Sequence, residues 1–267
     1  MKAAAGMRRV ALVSPLGGCG RTTLAAHLAS LLAERGHGVL VIDLSAQNAL
    51  ALHLGLLESQ ADAPLGVPAR GWRDSVSEEA WWGEAALESS QGVRLLPHGA
   101  WKSACSVSDD PPDGWLSQQL DQLDLPGPGV MLLDTPALPA ALALQAARCA
   151  DLVLLLLDAS ARSLHWPQPV QALGETLPPG TQWGVLVTGV DARSASRMAA
   201  LKTLREQWQQ RLLPYPLHRD ESVQLAQERG VCVHQHAPHS QAAHDFQGIA
   251  DWVERQLGLQ RKTRESA

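Results

Sequence analysis

Chemistry is concentrated first in residues 10 to 23, Val-Ala-Leu-Val-Ser-Pro-Leu-Gly-Gly-Cys-Gly-Arg-Thr-Thr. An aliphatic run, Val10 to Val13, passes into a glycine-rich turn, Gly17-Gly18-Cys19-Gly20. Thr22 and Thr23 then open an amphipathic helix. Strand, glycine loop and helix in that order form a phosphate cradle, because the loop N–H groups and the positive helix end face one small space. Glycines let the chain turn sharply and let phosphate oxygens approach without a Cβ in the way. A hydroxyl just after such a loop can ligate Mg²⁺, and Thr22 stands there. Against the strict pattern G-x-x-x-x-G-K-[ST], Pro15 replaces the first glycine and Arg21 the lysine. Arg21 keeps the charge, but its planar fork is not equivalent to a compact ammonium. On these residues alone a glycine-rich turn without a ligand remains the alternative.

Two carboxylates extend the pattern. Asp43 follows the run Val39-Leu40-Val41-Ile42, and Asp134 follows Val130-Met131-Leu132-Leu133. Carboxylates at the carboxyl ends of strands beside a phosphate loop are placed to hold Mg²⁺ through water. Each could instead be a turn or helix N-cap residue. Two of them together with the loop favour the metal-linked role.

The elements that must position these groups are legible as alternating strands and helices. Val10–Val13, Val39–Ile42, Val93–Pro97, Val130–Asp134, Leu152–Leu157 and Trp183–Thr188 read as strands, most of them buried on both faces. Thr22–Arg35 reads as a helix with Leu24, Leu28, Leu31 and Leu32 on one stripe, ended by Gly36 and Gly38. Ser194–Arg211 and Asp245–Leu257 read as further helices. The predicted fold is a single α/β domain over residues 1–267, a doubly wound and mostly parallel sheet with helices on both faces. Residues 61 to 115 interrupt it as an irregular segment holding Trp72, Trp81, Trp82, Trp101 and Trp115. These tryptophans read as satellite core, with an aromatic partner surface as the alternative. His234, His236, His239 and His244 suit no zinc spacing cleanly and read as surface loop and helix residues, with metal binding the minor alternative.

Composition narrows the class. Twenty-seven acidic against 22 basic residues give a net charge of −5, so non-specific nucleic-acid binding is not expected. Four scattered cysteines, Cys19, Cys105, Cys149 and Cys232, form no C-x-x-C pair and point to a reducing compartment. Residues Met1 to Arg9 hold no signal-peptide pattern, and Leu152–Leu157 is too short to span a bilayer. A cytoplasmic protein is expected.

Taken together the motifs are familiar. Leu16 to Thr23 resembles the deviant phosphate loop, K-G-G-x-G-K-T-T, of the MinD/ParA family of P-loop ATPases. Val39 to Asp43 resembles that family's second strand, and Leu132-Leu133-Asp134-Thr135-Pro136 its D-T-P segment. Leu217-His218-Arg219-Asp220-Glu221 through Gly230, with Pro238 and Ser240–Ala243, is similar to its C-terminal segment, where I-P-R-D is usual. Arg211-Leu212-Leu213-Pro214, His218–Glu221 and Trp72-Arg73-Asp74 resemble the BcsQ (YhjQ) branch, ATPase-like proteins of bacterial cellulose synthase operons whose glycine loops are degenerate. The resemblance implies that Gly17, Gly18, Cys19, Gly20, Arg21, Thr22 and Thr23 hold ATP phosphates. It places Thr22, Asp43 and Asp134 at Mg²⁺. Thr188, at a position usually Asn, would read the adenine, and the backbone of His218, Arg219 and Asp220 would line the base pocket.

Departures from the family shape the expected function. Its signature lysine, which reaches across an ATP-sandwiched dimer, is Leu16 here, and its water-orienting aspartate is Ser45. A serine accepts a proton from water far less well than a carboxylate, and lost charge at phosphoryl transfer costs orders of magnitude in rate. The resemblance therefore implies an ATP-binding, dimerising accessory subunit of a cellulose synthase or secretion system, with slow or absent hydrolysis. Its partners would be small co-encoded subunits of the BcsR kind, BcsE-like proteins and cellulose synthase subunits, with indirect contact to the inner membrane. An active MinD/ParA-type positioning ATPase and a nucleotide-free pseudo-NTPase scaffold are the rivals.

Overall fold

Strands covered by helices on both faces must be apolar, and Gly129–Asp134 (β7) and Leu152–Asp158 (β8) obey that rule up to the aspartate that ends each. All six residues of β7 and all seven of β8 are buried. The computed structural model describes residues 6–60, 63–99, 111–123 and 128–261; Trp101 and Cys105 lie outside them. In chain order the elements are β1 (Arg8–Val13), α1 (Arg21–Glu34), β2 (Gly38–Asp43), α2 (Leu50–His53), β3 (Glu58–Gln60), β4 (Ala63–Gly66), α3 (Trp72–Ser77), β5 (Leu87–Glu88) and β6 (Val93–Leu96). There follow α4 (Trp115–Asp121), β7 (Gly129–Asp134), α5 (Ala141–Cys149), β8 (Leu152–Asp158), α6 (Pro167–Glu175), β9 (Gln182–Thr188), α7 (Ala195–Trp208), α8 (Glu221–Glu228), α9 (Val233–His236) and α10 (Gln241–Leu257).

Seven strands form one sheet in the order β5-β6-β2-β7-β1-β8-β9, parallel except for β5. The winding runs from β1 outward to β2 and β6, returns to β7, and then runs the other way to β8 and β9. The reversal falls at β1 and β7, and ligands of open α/β sheets bind at the carboxyl ends of strands at such a point. Alternate residues feed two cores. Val10, Leu12, Val39 and Val41 pack with α1, α2 and α10 on one face. Ala11, Val13, Leu40 and Ile42 pack with α4, α5 and α7 on the other.

Several boundaries differ from the sequence reading. Helix α1 shows no stripe: every residue from Leu24 to Leu32 is buried, because the helix lies between the sheet and α10 rather than at the surface. Helix α10 starts at Gln241, four residues early, where the Ser240 side chain accepts the Ala243 N–H. Helix α7 ends at Trp208, and a 3-10 turn continues to Arg211.

The segment expected to be irregular holds short elements: β4, which pairs antiparallel with β3 just before it, then α3 and β5. Gly71 lets it close: a Cβ there would lie 2.1 Å from the Gly99 nitrogen. Trp72 and Trp82 are buried and stacked with centroids 5.1 Å apart, and Trp115 tilts against both. They are core rather than an aromatic partner surface, but Trp72 and Trp82 join the main core on the α4 and α5 face of the sheet instead of a satellite; Trp81 alone of the segment's described tryptophans is largely exposed, at 52%. His234 departs from its surface assignment. It is buried, with Nε2 3.0 Å from Glu34 Oε1, because α9 folds onto α1.

Candidate functional site

The loop between β1 and α1 is shaped by two left-handed residues, Gly18 at φ 75° and Gly20 at φ 81°. A side chain at either would be strained. A Cβ built at Gly17, Gly18 or Gly20 meets no atom within 4 Å, so the space over the loop is open. Ser14 fixes the start of the loop: its Oγ accepts the Leu16 N–H at 3.1 Å and donates to the Leu16 carbonyl at 3.0 Å. Leu16 and Cys19 turn inward onto the core beneath α1. At the far edge the Thr188 hydroxyl donates to the Cys19 carbonyl at 3.0 Å.

Arg21 opens α1 with its guanidinium folded back on the loop. Nε donates to the Thr135 carbonyl at 2.9 Å and Nη1 to the Leu16 carbonyl at 3.0 Å. Thr135 is itself tied to β1, its hydroxyl donating to the Leu12 carbonyl at 2.7 Å. The Leu138 N–H donates to the Ser14 carbonyl at 2.9 Å, closing the segment after β7 over the loop.

The two aspartates face each other in register at the ends of β2 and β7. Asp43 accepts the N–H of Ser45 at 3.0 Å and of Leu50 at 3.1 Å, so its carboxylate is built into the turn that starts α2. Asp134 is fully buried and neither of its oxygens has a hydrogen-bond partner. Burial pushes the Asp134 carboxyl up to about 6, opposed by the Thr22 hydroxyl, which faces it outside hydrogen-bond geometry, and by the Arg21 charge. Burial, then the Asp134 charge, pushes Asp43 well above the ordinary carboxylate range. Asp134 thus presents two unused acceptors in low dielectric next to a threonine hydroxyl and a second carboxylate.

That donor set fits Mg²⁺, which takes oxygen ligands, keeps several waters and needs few protein groups. Among the described residues no cluster of three or more His, Cys, Asp or Glu could act as a closed metal cage. The open loop and the orphaned Asp134 oxygens fit a phosphate chain with its cation.

The remaining expected residues lie on the other side of the loop or farther off. Thr188 spends its hydroxyl on the loop itself. His218, Arg219 and Asp220 follow a segment that runs beside β9, with the Leu217 N–H donating to the Val187 carbonyl at 2.9 Å and the Arg219 N–H to the Val190 carbonyl at 2.7 Å. His218 is held by Asp245, whose Oδ2 lies 2.8 Å from its Nδ1 and accepts its N–H at 2.8 Å. Asp220 caps two helices: Oδ1 accepts Ser222 N–H at 2.9 Å and Oδ2 accepts Ala242 N–H at 3.1 Å. Arg219 is exposed.

Two contributors were missed in the sequence. The Trp72 indole N–H donates to the Asp43 carbonyl at 2.8 Å, fastening the tryptophan cluster to the strand end. Asn48, left-handed at φ 48°, donates to the Pro68 carbonyl at 2.9 Å and accepts the His98 N–H at 3.1 Å. An Asn near a strand end, a residue tolerant of that conformation, was the only local signal.

Comparison with known proteins identifies the family. The family described as cellulose biosynthesis protein BcsQ matches residues 7–253. The chromosome-partitioning ATPase Soj of Thermus thermophilus is 28% identical, with 92% of this chain and 95% of that protein covered. A cellulose biosynthesis protein BcsQ of Salmonella typhi is also 28% identical, over 88% of this chain and 90% of its own. The septum site-determining protein MinD of Pyrococcus horikoshii, solved as a complex with Mg-ADP, shares the fold at a TM-score of 0.74 and 24% identity, covering 95% of this chain and 98% of that one. The chain belongs to the BcsQ family of cellulose biosynthesis proteins, within the MinD/ParA-type P-loop ATPases.

Proposed function

We propose that the chain, acting as one unit, binds ATP with Mg²⁺ at the β1–α1 loop and serves as a dimerising accessory subunit of a bacterial cellulose synthase or secretion system. The observation that carries the reading is Asp134, wholly buried with both oxygens unpartnered beside an open glycine loop. A buried polar atom without a partner costs about 1–3 kcal/mol, more when charged, and such groups cluster where a ligand completes them. Residues 17–23 would hold the phosphates through backbone N–H groups and the α1 N-terminus. Thr22, Asp43 and Asp134 would hold the cation or its waters, and Thr188 and the backbone of His218 to Asp220 would border the base. The cation supplies charge neutralisation for the phosphates.

Hydrolysis is slow or absent in this reading. Leu16 packs on the core, so no cation extends from the signature-lysine position. Ser45 replaces a carboxylate that could orient water. The nucleotide then acts as a switch ligand that stabilises the dimer. Partners of the BcsR and BcsE kind and cellulose synthase subunits would bring the protein to the inner membrane indirectly; no helix among the described residues is long and apolar enough to cross it. The likeness to a chromosome-partitioning ATPase supports a second reading, an active positioning ATPase.

The test is the nucleotide content of freshly purified protein, kept in Mg²⁺ and then denatured. Near-stoichiometric intact ATP supports the switch-ligand reading. ADP supports the active ATPase. An empty protein that also fails to bind added MgATP overturns both.

A further inference from the structure

Arg21 stands where the loop pattern has a phosphate-contacting lysine, yet its guanidinium is turned onto two backbone carbonyls. Those carbonyls belong to different parts of the chain: Leu16 in the loop, and Thr135 in the segment that leads from β7 to α5. The half-buried side chain is thus anchored at both ends of a span, a task a planar fork with several fixed donors performs and a single ammonium does not. The two segments have other ties: Leu138 N–H to the Ser14 carbonyl, and the Thr135 hydroxyl to the Leu12 carbonyl. Arg21 is the tie that reaches the Leu16 carbonyl at the entry to the glycine turn, a carbonyl that also accepts from Ser14 Oγ, next to the Asp134 carboxylate.

We propose that Arg21 is a positioning residue, a crossbar that sets the shape of the loop and couples it to residues 135–140 at the start of α5. Phosphates are then held by backbone N–H groups and the α1 N-terminus, while Arg21 acts through the loop. Displacement of the loop by an anion is transmitted through the crossbar to Thr135 and onward to α5. The phosphate part of this inference rests on the nucleotide reading above; the crossbar itself does not.

The experiment measures amide hydrogen exchange in the absence of nucleotide, and MgATP and MgADP affinity by titration calorimetry, for wild type, Arg21→Lys, Arg21→Gln and Arg21→Ala. A crossbar predicts that, without any nucleotide, Arg21→Ala speeds exchange about tenfold at the bonded amides on both sides, Leu16 in the loop and Leu138 and Ala140 before α5, leaving β8 and β9 unchanged. Arg21→Gln, which keeps a donor, falls between. MgATP and MgADP affinities should drop together and by less than about tenfold, and Arg21→Lys should not restore them. The proposal is overturned if exchange in the ligand-free variants matches wild type. It is equally overturned if Arg21→Ala loses a hundredfold of MgATP affinity that Arg21→Lys recovers, because Arg21 would then be a direct phosphate ligand. If wild type binds no nucleotide, the nucleotide reading fails and the exchange data still decide the crossbar.

Discussion

Strands β2 and β7 end side by side in the same residue, Asp43 opposite Asp134, and the protein treats the two ends differently. Around Asp43 the chain closes completely: two backbone N–H groups reach its carboxylate and the Trp72 indole reaches its carbonyl. Around Asp134 the backbone carbonyl is used, accepting the Leu44 N–H at 2.8 Å, while the carboxylate is left without a donor. One aspartate has been absorbed into a turn. The other keeps a standing cost in the ligand-free fold, the kind that persists where a ligand repays it.

The strongest way to break this contrast is Asp134→Asn. Loss of the charge should cut MgATP affinity at least a hundredfold, about 2.7 kcal/mol. The same change should stabilise the ligand-free protein at pH 7.5. The sign follows from the raised value: a carboxyl held near 6 when folded, against an ordinary 3.8, contributes stability that is present below pH 3.8 and lost as pH rises through 6. Removing it should gain roughly 1–3 kcal/mol in ligand-free melts above pH 6. A variant that binds MgATP normally, or melts lower without ligand, would remove the distinction between the two aspartates.

Asp43→Ala should do the reverse at pH 4 and below, where its raised carboxyl is neutral and carries no buried-charge cost, so that only its turn bonds are lost. It strands the N–H groups of Ser45 and Leu50 in a buried turn, at about 1–3 kcal/mol for the pair. The loss should appear in urea unfolding without nucleotide. Stability equal to wild type would mean that the turn does not depend on Asp43.

What could be read beforehand follows from where each signal resides. The strands were legible because burial on both faces forces aliphatic runs, and the loop because Gly18 and Gly20 need positive φ. The pairing of Asp43 with Asp134 depends on β7 inserting between β1 and β2, a register no local pattern encodes. Likewise Arg21 meets Thr135 114 positions away, and His234 is buried by Glu34, 200 positions away. The metal and turn readings of Asp43 could not be separated in sequence because both want a carboxylate at a strand end; the geometry gives it the turn's hydrogen bonds.

Acidification sharpens the comparison with a smaller effect. His27 is buried against Phe246, with Nδ1 2.7 Å from the Thr23 carbonyl and Nε2 accepting the Val233 N–H at 3.0 Å, a fully used neutral ring. Burial lowers its pKa to about 3 from 6.5, and lowers that of His53 to about 4. Both values are depressed, so their stability is present above pH 6.5 and declines as pH falls towards 3 and 4. Asp134 works the other way over the same interval. From pH 7 to 5, Asp134→Asn should therefore lose about 1 kcal/mol more stability than wild type. Parallel pH profiles would show that Asp134 carries no raised pKa.

The smallest effect tests whether the tryptophan cluster belongs to the turn or to the ligand. Trp72→Phe keeps an aromatic ring against Trp82 and removes the N–H that reaches the Asp43 carbonyl. One buried hydrogen bond lost should cost about 1 kcal/mol, visible as a lower urea midpoint at unchanged slope. MgATP affinity should stay within about twofold, because Asp134 and the glycine loop do not contact the indole. If affinity falls while the urea midpoint holds, the strand end of β2 is tuned for the ligand through Trp72. The closed turn at Asp43 and the open carboxylate at Asp134 would then form one device rather than two.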